Sequence, residues 1–155
     1  MVTRFYQPQA GYTIRVNVEG VTLEGEAVLP PAAAGLLVVS YGSGENVHTG
    51  WHLTLVEQVI EAGYGVVQVM LWTAEEAWAD VSGGADMPDD DLLMRRLAGV
   101  LDWVRSQTAA ADTPVVLMAS GHAAAAAFKT AAERPATAAG LITINGRANL
   151  AQEYM

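Results

Sequence analysis

The sequence predicts an α/β fold of three layers, with helices on both faces of a mostly parallel sheet. Three observations carry that prediction. Short, nearly continuous apolar runs recur at Leu36–Val39, Gly65–Leu71, Val115–Met118 and Leu141–Ile144, as strands buried on both faces do. Helical periodicity fills the intervals between these runs, and an alternating apolar and polar pattern precedes them all.

Taken in order, Tyr12–Val18 alternates apolar with polar residues, and Val21–Leu29 alternates again after Gly20 until Pro30-Pro31 stops it. The two segments predict an antiparallel pair at a sheet edge. His52–Ala62 sets Leu53, Val56, Val59 and Ile60 at helical spacing and ends at Gly63. Asp91–Gln107 places Leu93, Leu97, Val100, Leu101 and Val104 on one stripe, behind Asp89–Asp91, whose charges suit the positive end of a helix dipole. Gly121–Glu133 is an alanine-rich helix stopped at Arg134-Pro135. The order gives about six strands, the first two antiparallel and the rest parallel, with right-handed crossovers distributing the helices over both faces. Thr73–Asp90, with Gly83-Gly84 and Pro88, reads as a mobile or variable excursion. A flavodoxin-like domain has the same elements, and bound flavin would mark it.

Length and composition bound the function. A chain of 155 residues suits a single domain over 1–155, and 52% hydrophobic against 16% charged residues is a globular profile. Eight Lys and Arg against 17 Asp and Glu leave a charge of −9, which repels nucleic acid and anionic membranes and sets both aside as partners. The absence of cysteine excludes disulfides, thiolate metal sites and a Cys nucleophile. Met1–Gln9 holds no apolar run of signal-peptide length. The longest apolar stretch, around Ala123–Ala127, is far below the roughly 20 residues that span a bilayer. A cytoplasmic protein is therefore expected.

In open parallel sheets ligands bind beyond the carboxyl ends of the strands. Two loops there carry candidates. Ser40-Tyr41-Gly42-Ser43-Gly44-Glu45-Asn46 offers glycines for close backbone approach and N–H groups for a crevice. Met118-Ala119-Ser120-Gly121-His122-Ala123 is a strand-to-helix junction of small residues.

The sequence resembles the α/β-hydrolase superfamily, in particular dienelactone-hydrolase-like bacterial proteins. The resemblance covers roughly residues 20–150. It rests on Val21-Thr22-Leu23-Glu24-Gly25 with Leu29-Pro30, Tyr41-Gly42-Ser43-Gly44, Glu61-Ala62-Gly63, Thr73-Ala74-Glu75-Glu76, Arg95-Arg96-Leu97 with Asp102-Trp103, Ala123–Ala127 with Glu133-Arg134-Pro135, and Gly146-Arg147. The second loop is similar also to hydrolase-like proteins in which the catalytic serine is often lost.

The family's nucleophile elbow is a Gly-x-Ser-x-Gly turn between strand and helix. Keeping the alanine run and Arg134-Pro135 in register sets the elbow on Ala119, Ser120, Gly121, His122 and Ala123, with Gly121 at the nucleophile position. A shift of one residue would use Ser120, with large side chains where the elbow needs glycine. The resemblance further implies an acid and a histidine from loops after later strands. The sequence stops at Met155, so the expectation is a domain lacking the last strands of the fold and both triad partners.

Bland readings accompany the other features. His48 and His52, four apart, would form a metal site with His122, but Gly50 interrupts them and no carboxylate completes the set; no metal and no cofactor are expected. They read instead as exposed histidines at a helix start. Glu75, Glu76 and Asp80, and Asp86 with Asp89–Asp91, read as a solvated charged face and a helix N-terminus. Trp51, Trp72, Trp78 and Trp103 read as core or crevice walls. Neither glycine phosphate-loop signature is complete.

Two functions follow. In the first, the chain is a hydrolase-like protein that is non-catalytic, or incomplete without a partner. In the second, it hydrolyses small carboxylic esters with Ser120 or Ser43 as nucleophile, His122 as base, and N–H groups at Gly42 and Gly44 as oxyanion donors. The ligand would be small and neutral, given the charge. A homodimer, or a second chain completing the sheet at Leu141–Ile144, is expected because an exposed apolar edge invites pairing.

Overall fold

A computed structural model describes residues 11–42, 50–83, 87–146 and 152. Among them six strands form one sheet and four helices pack around it, in the order β1 (Tyr12–Val18), β2 (Val21–Val28), β3 (Leu36–Tyr41), α1 (Gly50–Glu61), β4 (Gly65–Met70), α2 (Ala74–Val81), α3 (Asp90–Ser106), β5 (Val115–Ser120), α4 (Ala123–Glu133) and β6 (Gly140–Ile144). Across the sheet the strands run β1-β2-β4-β3-β5-β6. β1, β2 and β4 pair antiparallel, whereas β4, β3, β5 and β6 are mutually parallel, as the apolar runs predicted.

Local chemistry explains the elements. In β1 the alternation buries Ile14 and Val16 and leaves Thr13, Arg15 and Asn17 to solvent. Glu19 and Gly20, both at positive φ (52° and 76°), close the hairpin so that Val18 faces Val21, the geometry a two-residue turn needs to match strand twist. β3 is buried along its whole length, as a central strand covered on both faces must be.

α1 lies on one face of the sheet, where Val56 and its neighbours Leu55, Val59 and Ile60 meet Leu37, Val39, Val66 and Met118. α3 and α4 cover the other face with Leu93, Leu97, Val100, Leu101, Val104 and the alanines of α4. Ala123–Ala127 are fully buried, so the alanine run is a close-packing surface. Asp89 caps α3 by accepting from the Leu92 N–H at 2.7 Å. Among the described residues no helix is long and apolar enough to cross a membrane.

Three expectations need correction. Thr73–Asp90 is not simply an excursion, because it contains α2, fixed at its start by a capping box. The Thr73 hydroxyl accepts from the Glu76 N–H (3.2 Å), and the Glu76 carboxylate accepts from the Thr73 N–H (2.8 Å). Glu76 is accordingly no part of a solvated face: Arg96, 2% exposed, donates to both its carboxylate oxygens at 2.6 and 2.7 Å and to the Leu71 carbonyl at 2.8 Å. Trp78, read as a core or crevice wall, is 68% exposed, while Trp72 is buried and Trp103 packs at the core margin. The helix boundaries also differ: α1 opens at Gly50, α3 runs one residue earlier at each end, and α4 begins at Ala123.

Candidate functional site

The parallel strands end together. Tyr41 of β3 stands beside Met70 of β4, Ser40 beside Ala119, and Ser120 of β5 beside Ile144 of β6, so Gly42, Trp72, Gly121 and Asn145 all follow at one rim of the sheet. The chain turns there from β5 into α4 in two residues. Gly121 has φ +54°, a left-handed conformation that costs an L side chain about 1–2 kcal/mol, and His122 is already helical. This is the sharp strand-to-helix turn on which an elbow displays its nucleophile, with glycine at the turn itself.

The rest of the rim is packed closely around that turn. A Cβ added to Gly42 would come within 3.2 Å of the His122 Cβ and 3.4 Å of the Ala123 nitrogen, so the β3 loop begins directly against the start of α4. The His122 ring lies 6.3 Å from the Trp72 indole, inclined by 50°. Ser120 and His122 are partly accessible, whereas Ala119 and Ala123, the small residues two positions either side of Gly121, are buried. The fold thus brings Gly42, Ser120, Gly121 and His122 together, as the sequence suggested. Ser43, Gly44 and His48 lie outside the described residues.

His52 departs from its reading as an exposed helix-start residue: it is 6% exposed and sits edge-on to Tyr41, ring centroids 5.6 Å apart. The Tyr41 hydroxyl donates to Gln68 Oε1 at 3.0 Å, and Gln68 faces buried Glu26 across the β2–β4 pairing. Beside the apolar contacts of α1, a buried polar group thus runs from Glu26 through Gln68 and Tyr41 to His52. Sequence reading missed it because its members come from four elements and have no mutual spacing; Glu26 and Gln68 inside strand patterns were the only signal. Among the described residues no three His, Asp or Glu side chains gather where they could hold a metal ion.

No protein-family model matches the chain. Two Mycobacterium tuberculosis proteins, provisionally named phosphoribosyl transferases, are 28% identical over 142 residues. That match takes in 92% of this chain but 31% of each relative, so the chain spans about a third of the length of the curated proteins it matches. Among solved structures, the α/β serine hydrolase homologue from Coxiella burnetii superposes with a TM-score of 0.65 at 14% identity, over 90% of this chain and 64% of that one; this likeness is one of fold. The dienelactone hydrolase of Anabaena variabilis is nearer, with a TM-score of 0.83 and 30% identity over 97% of this chain and 69% of its own. With sequence and fold shared over that span, the chain belongs to the α/β-hydrolases, in their dienelactone-hydrolase-like branch.

Proposed function

We propose that this chain is a hydrolase-fold module that does not hydrolyse esters by itself and that works with a partner segment continuing its sheet. The observation that carries the reading is Gly121: the left-handed turn between β5 and α4, where an elbow presents its nucleophile, has no side chain to present. Ser120, one residue earlier, belongs to β5 and not to the turn. Activating a serine there would also require an oriented base, and a fold supplies no chemistry without its site.

The partner is supported by the β6 side of the sheet. Among the described residues β6 pairs with β5 and with no other strand, and Ile142 is 46% exposed. Beside it, on the α1 face, lies an open apolar groove of about 490 Å³, lined by Leu37, Leu55, Val59, Val116, Met118 and Ile144. A parallel sheet is ordinarily covered on both faces, so a second copy or another chain adding strand and cover at β6 would bury this surface. A small neutral ester is the ligand class that suits the crevice. Phosphoribosyl transfer, the activity in the mycobacterial names, fits less well: its substrates are polyanions, the chain carries −9, and residues 42–49 and 121–122 include no Lys or Arg.

Exposure to a fluorophosphonate probe, with p-nitrophenyl acetate hydrolysis by the wild type and by Ser120→Ala, Ser43→Ala and His122→Ala, tests the reading. No labelling and background hydrolysis are expected. Labelling at Ser120 or Ser43, with turnover lost in the matching variant, would establish instead the ester hydrolase with His122 as base.

A further inference from the structure

α2 is built inside out. A surface helix normally turns its apolar stripe to the core, yet α2 buries no residue. Its outward stripe is Glu75, Trp78 and Val81, each three positions from the last, with Trp78 68% and Val81 81% exposed. Its inward side carries Glu76 to Arg96. An eight-residue helix is too short to persist on propensity alone. What holds it are the Thr73–Glu76 capping box and the two-pronged Arg96 pair, while Ser82 Oγ donates to the Trp78 carbonyl at 2.9 Å and closes the last turn. The aromatic side chain is therefore displayed from a fixed platform, and Met87, 46% exposed, follows in the next segment. Exposed aromatics on rigid supports are the usual anchors of protein interfaces.

Charge selects the occupant. Between Leu71 and Met94 the chain has seven carboxylates and no Lys or Arg. Arg96 takes Glu76 and Lys129 takes Asp91; Glu75, on the same stripe as Trp78, is exposed, as is Asp89 at the start of α3. A second copy would bring the same acidic stripe, and an anionic membrane or nucleic acid would be repelled. We propose that the Glu75–Trp78–Val81 face of α2 docks a basic amphipathic segment of a partner protein, aliphatic side chains against Trp78 and Val81 and an arginine between the Trp78 ring and Glu75. Arginine suits that position because its guanidinium stacks on indole while pairing with carboxylate. This surface is distinct from the β6 edge and does not depend on whether the elbow is catalytic.

The test titrates the whole chain by calorimetry with a synthetic amphipathic helix of leucine and arginine, and with the same peptide carrying glutamate in place of arginine. The arginine peptide is expected to bind, with affinity falling as salt rises, and the glutamate peptide not to bind. Trp78→Ser should weaken the arginine peptide roughly tenfold or more, and Glu75→Lys by a smaller factor. Because Trp78 and Val81 are exposed, Trp78→Ser and Val81→Ser should keep the far-ultraviolet circular dichroism of the wild type, separating lost docking from lost fold. Absence of binding, equal binding of both peptides, or unchanged affinity in folded Trp78→Ser would overturn the proposal. So would self-association abolished by Trp78→Ser, or binding to phosphatidylserine vesicles, each of which names another occupant.

Discussion

Arg96 of α3 grips Glu76 of α2 with two hydrogen bonds, 2.6 and 2.7 Å, while the same guanidinium holds the carbonyl of Leu71 just past the end of β4. One buried side chain thus ties together the exit of a central strand, the first turn of α2 and the long helix packed on the sheet. Removing one partner of such a pair leaves the other desolvated, which typically costs about 3–5 kcal/mol when both are buried. Glu76 keeps part of its surface, so the lower end applies. Arg96→Met is expected to lower unfolding stability by roughly 3 kcal/mol in urea, and Glu76→Gln, which keeps the cap and a neutral hydrogen bond, by about half that or less. Equal small losses in both variants would show that the pair is not under tension from burial.

The same pair sets a pH dependence. The hydrogen bonds from Arg96 hold the Glu76 carboxyl below its ordinary value of 4.5, against the opposing effect of burial, with the Thr73 N–H adding to the lowering. Asp91 is likewise held below 3.8, chiefly by its hydrogen bond from Lys129. A carboxyl depressed in the folded state binds fewer protons folded than unfolded, so it stabilises the fold at pH above the unfolded value. That contribution is lost as pH falls through the folded value. Stability should be level near neutrality and decline below about pH 4.5, and Arg96→Met should show a shallower decline than wild type between pH 4.5 and 3. Parallel curves for the two proteins would remove Glu76 from the account.

Much of this was legible from residues 36–144 because a sheet buried on both faces leaves unbroken apolar runs, and helices over it leave stripes. β3, β4, β5 and β6 are such runs. α2 was not legible that way, because its apolar residues face outward and periodicity finds buried stripes. The legible signal was chemical: Thr73-Ala-Glu-Glu76 is a capping box in sequence as well as in space. At the rim, Gly121, which the register of the alanine run sets at the nucleophile position of the elbow, has a positive φ. The burial of His52 against Tyr41 could not be read, since it depends on where α1 lands on β3.

Gly121 gives a prediction of its own. At φ +54° glycine is unstrained, asparagine tolerates the region, and β-branched residues resist it. Gly121→Asn should cost least, Gly121→Ala about 1 kcal/mol, and Gly121→Val more, measured as shifts in urea midpoint at constant slope. Alanine and valine tolerated without loss would mean that the turn relaxes to another conformation.

Association through β6 is tested at Ile142. A strand at the edge of a sheet offers unpaired backbone groups, and an exposed isoleucine on that strand adds apolar surface to the invitation. Lysine is the residue natural edges use to discourage pairing, and at a position 46% exposed its long stem can lie along the strand while the ammonium reaches water. Ile142→Lys is therefore expected to leave the fold within about 0.5 kcal/mol of wild type, as surface substitutions do. If a second copy completes the sheet, sedimentation velocity should find wild type associated at high micromolar concentration and Ile142→Lys monomeric. Trp78→Ser, which alters α2 and leaves β6 untouched, should associate as wild type does. A wild type that stays monomeric throughout would exclude the second copy and leave a different chain as the completing partner; association unchanged by the lysine would place the contact away from β6.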